Sequence, residues 1–282
     1  MKILSNVWLK NYTTIRIGGL VKTMLIPETV DELKNVINVH GNKFVFGGGS
    51  NLLASDEHEF DFIVNLREFN KELVYNGGGK FTVGASVRLQ QLINTVNLCG
   101  YGGIEYLYSV PGLVGGAVFM NAGGGKNEGN SISDYIVSVS ALYNGKIVTL
   151  EKKDCDFSYR SSVFKKDKEY MIVSVEFDFP EQIIEVSKKK IEERMEFSKR
   201  VHDISYPNFG SVFKIYDPHI MSFVRRMQRK KKFGVRFSSK TDNWLINCGD
   251  GTYSMALKRI NKVKRLHRIF HRECQTEVII WD

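Results

Sequence analysis

The stretch Val110-Pro-Gly-Leu-Val-Gly-Gly-Ala-Val-Phe-Met-Asn-Ala-Gly-Gly124 constrains this chain more than any other segment. Pro111-Gly112 fixes a turn, and Gly115-Gly116-Ala117 leaves the backbone bare enough for something flat to lie against it. Asn121 puts a polar group at the end of an apolar run. A second cluster, Gly47-Gly48-Gly49-Ser50-Asn51-Leu52, follows the strand-like Phe44-Val45-Phe46. Without side chains, backbone amides can approach a ligand closely and point at phosphate oxygens. Ser50 and Asn51 add hydrogen-bonding groups beside that bare backbone. The spacing is not GxGxxG, and the Lys-Ser/Thr pair of a P-loop is missing, so neither of those nucleotide folds is expected. A tight turn or a buried bend would account for either cluster alone. Two in one chain predict a pyrophosphate-bearing cofactor held mainly by backbone.

The chain has 282 residues, enough to bury two or three cores. It has no run of about 18 apolar residues, so no membrane span or membrane partner is expected. The N-terminal segment lacks the apolar core and small-residue cleavage site of a secretory signal, which makes the cytoplasm the default. Cys99, Cys155, Cys248 and Cys274 are widely spaced, with no CxxC and no Cys/His cluster at zinc spacing, so free thiols and no metal are expected. The net charge of +9 is concentrated late, in Arg225–Lys232 and Lys258–Arg265. A solvated helix face ranks first as its explanation, and attraction of an anionic substrate such as a nucleotide sugar second. A nucleic-acid partner ranks a distant third and is not expected, since it would need a continuous basic face with groove-reading or stacking residues.

The first third alternates strand and helix signals. Lys22–Ile26 reads as a strand, Thr29 caps a helix over Val30–Val39, and Lys43–Phe46 and Phe62–Leu66 read as strands. The middle third carries strands at Phe81–Gly84, Ile136–Tyr143, Lys146–Leu150 and Tyr170–Phe179, with Asn144-Gly145 as a hairpin turn. A helix over Arg88–Leu98 stops near Gly100. After Pro180, where a domain boundary is expected, a charged helix spans about residues 181–200, with Ile183, Ile184, Val186, Ile191 and Met195 as candidate buried positions. Strands at Gly210–Lys214, Asn243–Asn247 and Thr276–Trp281 and a basic helix from Ser254 to about Phe270 complete the pattern.

Three residues stand out chemically. Arg160 lies among small hydroxyls in Tyr159-Arg-Ser-Ser-Val-Phe164, where a surface arginine and a fixed guanidinium for a carboxylate are both open readings. Ser211 follows a glycine in Gly210-Ser-Val-Phe-Lys214, without the GxSxG of a hydrolase. Glu277 sits inside the terminal strand-like run, where it either faces solvent or needs an inward partner.

Taken in order, these motifs resemble the UDP-N-acetylenolpyruvoylglucosamine reductase (MurB) family. Asn11-Tyr-Thr-Thr-Ile-Arg-Ile-Gly-Gly19 and Gly47–Leu53 come first, and Val110–Gly123, Tyr159–Phe164, Gly210–Lys214 and Glu277–Ile280 follow. The resemblance covers nearly the whole chain and points to the compact class lacking an inserted tyrosine-bearing loop. It implies an α+β fold: a two-subdomain FAD-binding fold of the vanillyl-alcohol-oxidase/PCMH type plus a C-terminal α+β substrate-binding domain. Subdomain 1 would span 1–66, subdomain 2 67–180 and the substrate domain 181–282, with the last strand packing back toward the flavin site. The implied activity is reduction of the enolpyruvyl group of UDP-N-acetylglucosamine enolpyruvate in peptidoglycan precursor synthesis, with bound FAD and NADPH as reductant, in a cytoplasmic monomer. Arg160, Ser211 and Glu277 match the catalytic residues. Gly47, Gly48, Gly49, Ser50, Asn51, Leu52, Pro111, Gly112, Gly115, Gly116, Ala117 and Asn121 match the cofactor site. Lys214, Lys240 and Asn243 match substrate-binding positions.

The C-terminal part departs from the family pattern. Lys240-Thr-Asp-Asn-Trp244 stands where the family has Lys-His-Ala-Asn-Phe, keeping Lys240 and Asn243 but losing the histidine. Ile215-Tyr216 replaces an Asn-Pro. A paralogue reducing another nucleotide sugar is therefore a second reading, and a flavin-binding interaction module a third; the three retained catalytic residue types argue against the last.

Overall fold

The computed structural model describes residues 1–40, 44–124, 129–228 and 234–282. Strands β1 (Lys2–Trp8) and β2 (Leu20–Ile26) precede helix α1 (Val30–His40). Strands β3 (Val45–Phe46), β4 (Leu52–Ala54), β5 (Phe60–Asn65), β6 (Leu73–Gly77) and β7 (Lys80–Gly84) lead to helices α2 (Leu89–Leu98) and α3 (Val114–Phe119). Strands β8 (Ile136–Tyr143) and β9 (Lys146–Glu151), helix α4 (Val163–Lys166), strand β10 (Met171–Asp178) and helix α5 (Ile184–Val201) come next. Strands β11 (Asn208–Ser211) and β12 (Phe213–Ile215), helix α6 (Pro218–Met227), and strands β13 (Val235–Phe237) and β14 (Trp244–Asn247) follow. Helix α7 (Tyr253–Ile269) and strands β15 (Gln275–Thr276) and β16 (Ile279–Trp281) end the chain.

Packing groups these elements into two units that are not contiguous in sequence. Unit 1 comprises Met1–Ile3, Met24–Gly48 and Phe62–Glu196; unit 2 comprises Leu4–Thr23, Gly49–Asp61 and Phe197–Asp282. A four-stranded sheet has the order β1-β2-β5-β3, and its β3–β5 pair is parallel. Unit 1 holds a five-stranded antiparallel sheet, β6-β7-β10-β8-β9. Helices α2 and α3 bury Leu89, Leu92, Ile93, Val96, Val114 and Val118 in its core. Unit 2 pairs β11-β14-β13, β12-β15 and β16-β4 around Phe213, Phe237, Leu245, Ile260 and Val263.

Local chemistry explains most boundaries. The Thr29 hydroxyl accepts from Glu32 N–H (3.2 Å) and starts α1. The Asn144-Gly145 pair has φ of 48° and 74°, the two left-handed residues that a type I′ hairpin between β8 and β9 needs. Asp217 caps α6 through His219 and Ile220 N–H, with Pro218 in the first turn. Lys43, expected in β3, lies outside the described residues, as does part of the late basic run.

Several expectations need correction. Ile183, just before α5, is 67% exposed, and on α5 Val186 is 38% exposed, whereas Ser187 and Ser198 are buried. The inward stripe is Ser187, Ile191, Arg194 and Ser198 at helical spacing; Ser187 accepts from Gln182 Nε2 (2.6 Å) and Arg194 Nε donates to Ser109 Oγ (2.8 Å). Polar partners thus share that face with Ile191, which packs on the core as expected. The single strand expected over 210–214 is two strands broken at Val212, and that over 276–281 is two strands broken at Glu277-Val278. Each break lets the chain change sheets: β11 pairs with β14 but β12 with β15, and β16 pairs with β4. No described helix is long and apolar enough to cross a membrane.

Candidate active site

Within unit 1, Gly47 and Gly48 of the first glycine cluster meet the second cluster. A Cβ on Gly47 would stand 3.3 Å from Leu113 Cδ1, and one on Gly48 3.9 Å from Gly112 Cα. Gly112 O accepts from Leu89 N–H (3.1 Å), and Gly115 N–H donates to Ala85 O (2.8 Å), pinning this loop to the strand-to-helix corner before α2. Gln90 Nε2 donates to Tyr108 O and Val110 O, both at 2.8 Å, fixing the approach to Pro111. Gly115 is tight, with Ala85 Cβ 2.9 Å from its imagined Cβ, while Gly116 has no atom within 4 Å. An alanine at Gly116 would thus meet open space inside a helix, where alanine is the better residue. A glycine kept there, beside converging bare backbone, fits a flat cofactor packed against α3. The hydroxyl of Tyr106, in the same unit, is buried without a hydrogen-bond partner. Burial pushes that phenol far up, with Tyr135 and Asp134 adding to the shift and Arg160 opposing it. The bare, converging backbone of Gly47, Gly48, Gly112 and Gly116 therefore fits a flat, pyrophosphate-bearing group such as FAD.

Arg160 lies at the tip of a two-residue turn. Ser158 and Ser161 exchange both backbone hydrogen bonds at 3.1 Å, leaving Tyr159 and Arg160 as the central pair. Arg160 has φ of 53°, a left-handed conformation that costs an ordinary residue roughly 1–2 kcal/mol. A glycine would fit the turn better, so the side chain justifies the strain. Its guanidinium donates to Gly123 O (3.0 Å) and Asn121 O (3.4 Å), beyond the C-terminal end of α3, and lies 5.4 Å from the Tyr159 ring centroid. Lys165 Nζ donates to Arg160 O (3.1 Å), and Ser162 Oγ donates to Phe119 O (2.7 Å). The expected arginine motif and the expected cofactor loop are thus stitched together.

Ser211 and Glu277 belong to unit 2, where the backbone brings them together. Gly210, at φ of 77°, sits in a register shift of β11 against β14, and Asn208 Oδ1 accepts its N–H (3.0 Å). Such a bulge re-aims the next side chain, here Ser211. Val212 O then accepts from Glu277 N–H (2.8 Å) and Val278 N–H (3.4 Å), so the serine and glutamate breaks face each other. Asn51 Nδ2 donates to Glu277 O (3.2 Å), and Ile279 N–H donates to Asn51 O (3.0 Å). Gly49 has φ of 67°, and a Cβ there would stand 2.2 Å from Tyr12 O, so the family-like 11–19 loop packs directly on it.

Besides Asn51, three expected ligand groups have their side-chain amides or amines engaged with the chain itself. Asn121 is 5% exposed; its Nδ2 donates to Ser158 O (3.0 Å) and its Oδ1 accepts from Ser133 N–H (3.4 Å). Asn243, also 5% exposed, grips Phe213 at both ends, Nδ2 to O at 2.7 Å and N–H to Oδ1 at 3.0 Å. Lys240 Nζ donates to Lys199 O (3.3 Å). Lys214 lies on β12, half-buried. Sequence reasoning missed Gln90, Tyr106 and Lys165; only Lys165 carried a signal, five residues after the arginine. The cysteines are free thiols, and burial pushes Cys155 and Cys274 up to about 11, away from thiolate chemistry. Among the described residues no His/Cys/Asp/Glu group could hold a metal ion.

Residues 21–151 match the family model described as an FAD binding domain. The UDP-N-acetylenolpyruvoylglucosamine reductase of Thermotoga petrophila is 31% identical over 277 residues, covering 96% of this chain and 95% of its own. That of Clostridium novyi is 31% identical over 99% of this chain and 92% of its own. The crystal structure of the Thermus caldophilus enzyme superimposes with a TM-score of 0.81 at 25% identity, covering 100% of both chains.

Proposed function

Because this chain belongs to the UDP-N-acetylenolpyruvoylglucosamine reductase family, an oxidoreductase family with an FAD-binding domain, we propose that Arg160, Ser211 and Glu277 carry its reaction. The substrate is the enolpyruvyl ether of UDP-N-acetylglucosamine, the product UDP-N-acetylmuramate for peptidoglycan, and the reductant NADPH. FAD, held by the glycine loops and reduced by NADPH, would supply hydride chemistry at C3 of the enolpyruvyl group. Negative charge then builds from C2 into the carboxylate. Arg160 stabilises that charge through a fixed guanidinium, the planar fork suited to two carboxylate oxygens. Ser211 delivers the proton to C2. A serine is a weak acid, but an enolate-like carbon is basic enough to draw its proton. Glu277, bearing a proton or a hydrogen bond, holds the carboxylate side of the enol.

Gly47, Gly48, Gly112 and Gly116 would hold FAD through their bare backbone, with Gly49, Ser50, Asn51, Leu52, Pro111, Gly115 and Ala117 completing the cradle. Asn51 and Asn121 contribute by shaping their loops. Lys214 and Lys240 attract the substrate diphosphate, and Asn243 shapes the serine strand. In functional terms 1–66 and 67–180 serve the flavin and 181–282 the substrate, in a cytoplasmic monomer. The observation that carries this reading is Arg160: an arginine held in a glycine-like conformation and tied to carbonyls at the end of the cofactor loop.

Anaerobic stopped-flow absorbance tests it. Protein reduced with NADPH is mixed with UDP-N-acetylglucosamine enolpyruvate, and rapid flavin reoxidation is expected. Reduction without reoxidation would replace the substrate with another nucleotide sugar. Protein that takes up no FAD would overturn the assignment of the glycine loops.

A further inference from the structure

We infer that Asn121 is the positioning residue that sets the Arg160 guanidinium, an inference that rests on the proposed role of Arg160. Asn121 participates twice in one closed ring of bonds. Its backbone carbonyl accepts from Arg160 Nη1 (3.4 Å), and its side-chain Nδ2 donates to Ser158 O (3.0 Å), at the base of the Arg160 turn. The Ser158–Ser161 pair closes the ring through the turn backbone. The arginine is therefore held at both ends by one residue: at the guanidinium by a carbonyl and at the turn by an amide.

Three further observations make this a device rather than a single contact. Asn121 Oδ1 accepts from Ser133 N–H (3.4 Å), which fixes the amide orientation so that Nδ2 faces the turn. Asn121 has φ of 44°, the left-handed region that asparagine tolerates better than other non-glycine residues. The carbonyls of Asn121 and Gly123 can then both face the guanidinium. These two acceptors are neutral, so they orient Arg160 without cancelling its charge. A buried amide with both ends engaged is not available to a ligand, so its contribution passes through Arg160. Ser162 Oγ to Phe119 O also ties the two segments, and Lys165 Nζ to Arg160 O braces the turn from within its own segment; neither bond involves the two guanidinium acceptors.

Asn121→Asp tests this, since it keeps size, φ tolerance and the acceptor for Ser133 while losing the donor to Ser158. Holoenzyme is compared with Arg160→Lys and with the double variant. Expected is retained FAD, a rate of flavin reduction by NADPH within about twofold of the parent, and reoxidation by UDP-N-acetylglucosamine enolpyruvate slowed about tenfold or more. Calorimetric affinity of the oxidised holoenzyme for that substrate should fall in both single variants. The double variant should be little slower than the worse single one, because both act on one guanidinium. Should Asn121→Asp fail to fold, Asn121→Gly, which suits the positive φ, carries the same comparison. Equal slowing of both half-reactions, loss of FAD, or effects that multiply in the double variant would overturn the inference. A slow Arg160→Lys beside a normal Asn121→Asp would overturn the inference alone; a normal Arg160→Lys would remove the role of Arg160 itself.

Discussion

Replacing Asn243 with alanine should destabilise the serine strand in a way that a substrate contact would not. The amide satisfies both backbone groups of Phe213, at 2.7 and 3.0 Å, in a buried position, and Val212 N–H donates to Asn243 O at 2.9 Å. Truncation leaves one buried N–H and one buried C=O without their partners. Each costs about 1–3 kcal/mol, so a loss near 3 kcal/mol is expected once water reaches part of the gap. For a chain of this size that lowers the thermal midpoint by about 6–12 °C. Equilibrium urea unfolding measures the loss, and amide exchange at Phe213 should accelerate because its acceptor is gone. Ser211 lies two residues before Phe213, so turnover should fall with stability. The surface variant Lys240→Ala serves as control, with a change within about 0.5 kcal/mol. A rise in KM at unchanged stability and unchanged Phe213 exchange would show that Asn243 contacts substrate and that the clamp reading is wrong.

Gly49→Ala should cost about 2–5 kcal/mol, because it adds a left-handed penalty to a Cβ placed 2.2 Å from Tyr12 O. Gly116→Ala should instead stabilise the apoprotein by about 0.5–1 kcal/mol while weakening FAD binding, with calorimetry and flavin titration as the paired measurements. Tyr106→Phe should raise apoprotein stability by about 1 kcal/mol in urea unfolding, since it deletes a buried hydroxyl without a partner; a loss would mean that the hydroxyl has a protein partner. The Asp217 carboxylate is held below its usual range by the N–H groups of Ile220 and His219 and by the charges of His219 and Arg272. A depressed folded value contributes stability that is present above about pH 3.9 and lost as pH falls through the folded value. Asp217→Asn, which retains the cap, should flatten the urea midpoint between pH 5 and pH 2.5.

The elements most legible in the sequence were those whose signal is local. Thr29, Asn144-Gly145 and the apolar periodicity of 88–98 each name their structure without help from distant residues, and the strands and helices they predict are present. Strand β1 and helix α6 were not legible. The first is largely exposed, so it lacks an alternating apolar face. The second begins at Asp217-Pro218, a cap signal overshadowed by the basic run at its end. Helix α5 misled for a related reason: Ile191 packs on the core as expected, but Ser187 and Arg194 share that inward face through bonds to Gln182, five residues back, and to the distant Ser109. Periodicity detects apolar burial and is blind to a polar face with fixed partners.

The asparagines carry the same limitation into the candidate site. Asn51 and Asn121 read as polar groups offered to a ligand because each follows a glycine-rich or apolar run, and Asn243 because it matches a substrate-binding position of the family that the motifs resemble. In the structure each amide bonds to a backbone carbonyl: Asn51 to Glu277, Asn121 to Ser158 and Asn243 to Phe213. Asn247 does the same with Ile15 O at 3.1 Å. An amide can replace one rung of a ladder where a strand has been broken, since it carries both a donor and an acceptor. Breaks are what the proposed chemistry requires here: the left-handed Arg160, the bulge at Gly210 and the interruption at Glu277 each expose a functional side chain by interrupting regular hydrogen bonding. The residues that repair those interruptions are recognisable only by their partners, which tertiary structure alone supplies. Arg160, Ser211 and Glu277 could be picked out from their motifs, whereas the amides that hold them had to be seen bonded.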